Sequence, residues 1–209
     1  MHDLASPPDT ERRRVPEAGP FPRPQHHFTV DEYLAFERTS DSRHEYYAGN
    51  IYVMVGGTEP HNLIAGNAFY CLKSQLRSRP CKVYTSDMRL KIAPTGLYTY
   101  PDVMALCGEV KLADDCRDMI ENPQIVVEVL SPSTEAYDRG TKLDHYKRLE
   151  SVTDCILISQ DARRVEHHAR GTDGRWRKTN VTGSGIIRLA SLGCEIPLDE
   201  IYDQIELPA

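Results

Sequence analysis

The stretch NPQIVVEVLSPST, residues 122–134, decides how the chain is read. Ile125, Val126, Val127, Val129 and Leu130 make both alternating sets apolar, the pattern of a strand buried on two faces. Glu128 interrupts that pattern on the face it shares with Val126 and Leu130. A lone carboxylate there would lose several kcal/mol to desolvation, so it needs a partner or a cation.

Working outward, the apolar stripe Leu143, Tyr146 and Leu149 predicts a helix over 138–150. Lys142 lies on it, 14 residues after Glu128 and four after Asp138, a spacing that also fits a plain helix ion pair. Upstream, strand-like segments are expected at 82–86, 88–93, 99–106 and 124–130, with Asp102 opening YPDVMAL directly after Pro101. Before them, Ile64, Ala68, Cys71, Leu72 and Leu76 recur at helical spacing from His61 to about Arg79, where Pro80 stops the pattern. RHEYYAGNIYVM reads as a hairpin with Gly49-Asn50 at the turn and Glu45 in its first strand. Thr29 and Glu32 form a capping box that opens a short helix. Downstream, DCILISQ, RRVEHHAR, RWRKTNV and IIRLA are strand-like and separated by glycine turns. The order of helix, strands, helix, strands predicts an α/β or α+β fold on one central mixed sheet, with additional C-terminal strands.

Residues 1–27 hold six of the 14 prolines and the run Arg12-Arg13-Arg14, with almost no large apolar side chains, so a disordered leader is expected before a domain at 28–209. The chain has 209 residues, enough for one well-packed domain and short for two. Its apolar runs are only a few residues long, which excludes a transmembrane helix, and no secretory signal pattern is present. A cytoplasmic location is the expectation. Six cysteines without a C-x-x-C pair are expected to be reduced, small hydrophobes. A net charge of −6 argues against broad, nonspecific nucleic-acid binding while allowing a local basic surface.

No Walker loop, Gly-x-Ser-x-Gly elbow, dinucleotide fingerprint or zinc motif occurs. The informative residues are three acids in or beside core strands, Glu45, Asp102 and Glu128, together with Lys142. Acids converging from neighbouring strands suit a hard cation such as Mg²⁺, which takes oxygen ligands and keeps several waters. A nearby lysine would stabilise charge developing on a phosphate. His61, at the start of the long helix, could touch a ligand or simply cap the helix. The doublets His26-His27 and His167-His168 lack evident carboxylate partners.

RHEYYAGNIYVM with His61 after it, YTSDMRLKI, YPDVMAL, NPQIVVEVLSPSTEAYDRGTKLDHYKRL and SLGCEIPLDEIYD resemble, in the same order, the Uma2 family (DUF820). These are bacterial proteins of the PD-(D/E)XK, restriction-endonuclease-like superfamily, and the resemblance covers about residues 28–207. It implies a mixed central sheet flanked by helices, with metal held at strand ends. By that resemblance Asp102 and Glu128 are the metal ligands and Glu45 is the acid of the first element, an outer ligand or water-orienting base. Leu130 stands where the family pattern has lysine, and Lys142 is the candidate replacement. The implied activity is Mg²⁺-dependent endonuclease chemistry, with Mn²⁺ as substitute, nucleic acid (DNA first) as substrate, and a homodimer as the assembly. Two other readings stay open: a non-catalytic interaction scaffold that keeps the fold, and carboxylate-pair glycoside hydrolysis through Asp102 and Glu128.

Overall fold

The computed structural model describes residues 27–207, so the expected leader lies outside the described residues except for His27. Helix α1 (Val30–Glu37) precedes a hairpin of β1 (His44–Tyr47) and β2 (Asn50–Val53). Helix α2 (Glu59–Leu76) leads into β3 (Cys81–Thr85), β4 (Arg89–Ile92), β5 (Leu97–Thr99) and β6 (Val103–Cys107). Next come β7 (Met119–Ile120) and β8 (Ile125–Leu130), then a helical segment of α3 (Glu135–Tyr137), a π-helical turn (Asp138–Lys142) and α4 (Leu143–Lys147). The described elements end with β9 (Asp154–Ser159), β10 (Arg164–Arg170), β11 (Trp176–Thr182), β12 (Ile186–Leu189), β13 (Cys194–Pro197) and α5 (Leu198–Ile201).

The fold is α+β on a mixed central sheet of six strands, ordered β11-β10-β9-β8-β6-β3, in which β8 and β9 run parallel. The strand of the opening stretch is therefore central. Its residues divide as the alternation demands. Ile125, Val127 and Val129 join one core with Ile64, Ala68 and Leu72 of α2 and Ile187 and Ile196 of the β12–β13 ribbon. Val126 and Leu130 join a second core with Leu143, Tyr146 and Leu149. Each of these large apolar side chains contributes on the order of 1.5–3 kcal/mol by burial, and together they fix which way Glu128 points.

A second sheet, ordered β2-β1-β5-β4-β7, packs on the Glu128 face through Leu90, Ile92, Leu97 and Ile120. Helix α1, opened by the expected Thr29–Glu32 capping box, lays Tyr33 against Tyr46 and Tyr98 of this sheet. The expected strand 99–106 is in fact two strands in two sheets. Pro101 has no N–H to continue a ladder, and the chain crosses between the sheets at Tyr100–Asp102. That crossing carries Asp102 to the junction of the sheets.

Three further expectations are corrected. The hairpin turn is Ala48-Gly49, one residue earlier than expected; their φ values of 49° and 83° suit a type I′ turn that pairs Tyr47 with Asn50. The helix expected over 138–150 begins at Glu135, takes a π-helical turn and ends at Lys147. There Arg170 donates to the carbonyls of Lys147, Leu149 and Glu150 at 2.8, 2.9 and 3.0 Å. Finally, Cys81 and Cys107 face each other in the β3–β6 register and form a disulfide, so those two are not reduced. Cys71, Cys155 and Cys194 are buried thiols, as expected.

Candidate active site

Three of the four sequence-predicted residues meet at one point between the two sheets. The Lys142 ammonium lies 2.9 Å from Glu128 Oε1 and 3.1 Å from Glu45 Oε1, with Asp138 Oδ1 at 3.7 Å. Glu128 comes from the central sheet, Glu45 from β1 of the second sheet, and Lys142 from the π-helical turn above both. Each carboxylate is further held. Tyr146 donates its hydroxyl to Glu128 Oε1. Thr99 donates to Glu45 Oε1 at 2.5 Å and Tyr137 to Glu45 Oε2 at 3.0 Å. Asp138, Lys142 and Tyr146 follow at four-residue steps, and the helix turns all three toward Glu128.

The fourth residue, Asp102, stands where β6 leaves β8. The β6–β8 ladder ends at Val103–Val127. The Val129 N–H, beyond that end, donates instead to Asp102 Oδ2 at 2.7 Å. His61 Nε2 lies 3.4 Å from the same oxygen. The site is wetter here: the Asp102 and His61 side chains are 15% and 18% exposed, against 6% and 5% for Glu128 and Lys142. The more exposed side of the site is thus the Asp102–His61 side, beside the exposed residues 55–57.

Charge and burial compete inside the cluster. Burial pushes the Glu128 carboxyl up to about 8, with Asp102 and Asp138 adding to the effect and Lys142 opposing it. Burial also raises Asp138 against the pull of Lys142. Burial alone would lower Lys142, but Glu128 and Glu45 outweigh it and hold the ammonium well above the ordinary lysine range. Burial raises Tyr137 and Tyr146 too, each reinforced by its neighbouring glutamate, so both keep the hydroxyl protons they donate.

Three carboxylates, Glu45, Glu128 and Asp138, thus face one ammonium, with Asp102 nearby on the wetter side. The donor set is all oxygen, which fits Mg²⁺ or Mn²⁺ and not a soft metal. Among the described residues no group of three or more His, Cys, Asp or Glu side chains is arranged to hold a metal ion. Mg²⁺ does not require one, since it is commonly bound through one or two carboxylates plus water and substrate phosphate. Asp102 and Glu128 fit that minimal role.

Sequence reading named Glu45, Asp102, Glu128 and Lys142, left His61 open between a ligand contact and a helix cap, and left out Asp138, Tyr137, Tyr146 and Thr99. Asp138 and Tyr146 were signalled by their spacing from Lys142, and His61 by its place at the start of the long helix; Thr99 and Tyr137 had no local signal. His167, expected to lack a carboxylate partner, has Asp154 Oδ1 at 2.7 Å from its Nε2 in a separate buried contact.

Two uncharacterized proteins of Synechocystis are similar to the chain. One is 35% identical over 190 residues, covering 88% of this chain and 94% of the relative. The other is 33% identical over 155 residues, covering 74% and 88%. A crystal structure from Anabaena variabilis, described as "a putative nuclease belonging to DUF820", superposes with a TM-score of 0.68 at 15% identity, covering 86% of this chain and 99% of that one. At that identity it attests to the fold. The sequence model of the Uma2 family, described as "Putative restriction endonuclease", matches residues 30–199.

Proposed function

Because the chain belongs to the Uma2 family, we propose that it is a Mg²⁺-dependent endonuclease that hydrolyses phosphodiester bonds in DNA. The observation that carries this reading is the Lys142 ammonium, seated 2.9 Å from Glu128 although Leu130 occupies the usual lysine position. A cation of the required kind is thus supplied to the strand from the helix that follows it.

Asp102 and Glu128 would hold Mg²⁺, or Mn²⁺ in its place. The metal would supply Lewis acidity at a phosphoryl oxygen and lower the pKa of bound water. Lys142, kept charged by its two glutamates, stabilises negative charge developing on the phosphate. Glu45 already accepts from Thr99 and Tyr137 and faces Lys142, so it suits an anchor for the ammonium better than a water-orienting base. Tyr146 orients Glu128. A homodimer, one site per strand of a duplex, and a cytoplasmic location belong to the same proposal; among the described residues no helix is long and apolar enough to cross a membrane.

One observation favours a second reading, the non-catalytic scaffold: Lys142 alone already partners Glu45 and Glu128, as in a purely structural ion cluster. A cleavage assay separates the two. Supercoiled, linear and single-stranded DNA are incubated with Mn²⁺ or with EDTA, using wild type, Asp102→Asn and Glu128→Gln. The nuclease reading expects Mn²⁺-dependent cleavage lost in both variants. DNA retention without cleavage by wild type would favour the scaffold.

A further inference from the structure

His61 reaches Asp102 from the first turn of α2, a helix that packs on the opposite face of the central sheet from Lys142. Three observations bear on what it does there. The two neighbours of Asp102, the Val129 N–H at 2.7 Å and His61 Nε2 at 3.4 Å, both address Oδ2, so Oδ1 is the oxygen available to a ligand. The imidazole takes up the space that a side chain at residue 57 would need. It lies so close over Gly57 that a Cβ there would meet Nδ1 at 2.6 Å. The Gly57 backbone is not in the left-handed region, so it is the ring, rather than the chain conformation, that asks for a residue without a side chain.

We propose that His61 is a positioning residue for Asp102: with the Val129 N–H it holds one carboxylate oxygen and turns the other toward a divalent cation, while Gly57 provides the space in which the ring takes that pose. The inference rests on the metal reading of Asp102 and Glu128 above. The contact needs a proton on Nε2, the nitrogen that faces Asp102. Its 3.4 Å length lies a few tenths of an ångström beyond an ordinary N–H···O bond. It is an ion-pair contact and not a formed hydrogen bond, and its expected role is the one such partners take behind metal ligands, orienting the carboxylate. The result is a link between the two faces of the sheet: α2 supplies the support, and the π-helical turn supplies the lysine.

The test is Mn²⁺ affinity by calorimetry, which does not depend on turnover, for wild type, His61→Ala, His61→Gln, Gly57→Ala and the His61→Ala/Gly57→Ala double variant, with Asp102→Asn as the non-binding reference. His61→Ala is expected to weaken Mn²⁺ about 10–100-fold, the usual cost of losing such a support. His61→Gln, which keeps an N–H donor, should recover most of the affinity. Gly57→Ala should weaken binding by displacing the ring and should add nothing once His61 is alanine, because it acts only through that ring. If His61→Ala binds Mn²⁺ like wild type while Asp102→Asn does not, the positioning role is overturned and the metal site stands. Additive losses in the double variant would overturn the role of Gly57. If wild type itself binds no Mn²⁺, the metal reading falls and this inference falls with it.

Discussion

Replacing Lys142 by methionine tests the centre of the site, because it removes the charge while keeping most of the stem. In the folded protein the ammonium is 2.9 and 3.1 Å from two buried glutamates and 3.7 Å from Asp138. Breaking a buried ion pair from one side costs roughly 3–5 kcal/mol, since it strands the partner's charge. For a chain of this size each kcal/mol lowers the melting temperature by about 2–4 °C, so a drop of roughly 6–20 °C is expected at pH 8.5 without divalent metal. The deficit should depend on pH with a definite sign. Glu128 and Asp138 already have folded pKa values above their usual ones, and loss of Lys142 raises them further. A carboxyl whose folded pKa is raised contributes stability at low pH that is lost as pH climbs through the folded value. The variant should therefore recover toward wild type near pH 5 and lag most above pH 8. Differential scanning calorimetry at the two pH values measures both effects. A melting temperature within 2 °C or so of wild type at pH 8.5, well below the expected drop, would refute the buried cluster. In a cleavage assay Lys142→Ala should lower turnover by about 10²-fold or more, and Lys142→Arg should restore only part, because a planar guanidinium cannot occupy the same point.

Other outcomes follow from the same geometry. Wild-type stability should fall between about pH 4.5 and about 8 as the Glu128 proton is lost, and Glu128→Gln should flatten that slope in urea titrations; an unchanged slope would mean Glu128 is not the group responsible. Mn²⁺ affinity should rise about tenfold per pH unit up to about pH 8 and then level, because metal must displace the Glu128 proton; calorimetry in buffers of different ionisation enthalpy would count that proton. Light scattering at micromolar concentration should give a dimer, and a mass near 23.7 kDa would remove that part of the proposal.

Much of the fold could be read from local pattern, because burial on two faces leaves a direct trace in the residues of β8. The alternation of Val126, Glu128 and Leu130 correctly set Glu128 on one face, and its isolation there correctly implied a partner. Lys142 was singled out because it lies on the helix that leaves the Glu128 strand while Leu130 occupies the position where the family pattern has lysine. What stayed hidden depended on contacts between distant segments. His61 and Asp102 are joined only through the docking of α2 at the end of the sheet. The disulfide required knowing that β3 pairs with β6 in a register opposing Cys81 to Cys107. The π-helical turn leaves the apolar stripe of Leu143, Tyr146 and Leu149 intact, so nothing in the pattern marks it.

The cluster around Lys142 also has a mechanical meaning. Glu45 belongs to one sheet and Glu128 to the other, so their shared ammonium is a rivet through the seam, and Asp102 stands on the chain that crosses it. Loosening at that seam would let the sheets slide before either one melts. A bound cation would tighten it, and the amides of β1 and β8 would slow their exchange with solvent deuterium together, although β1 and β8 share no ladder.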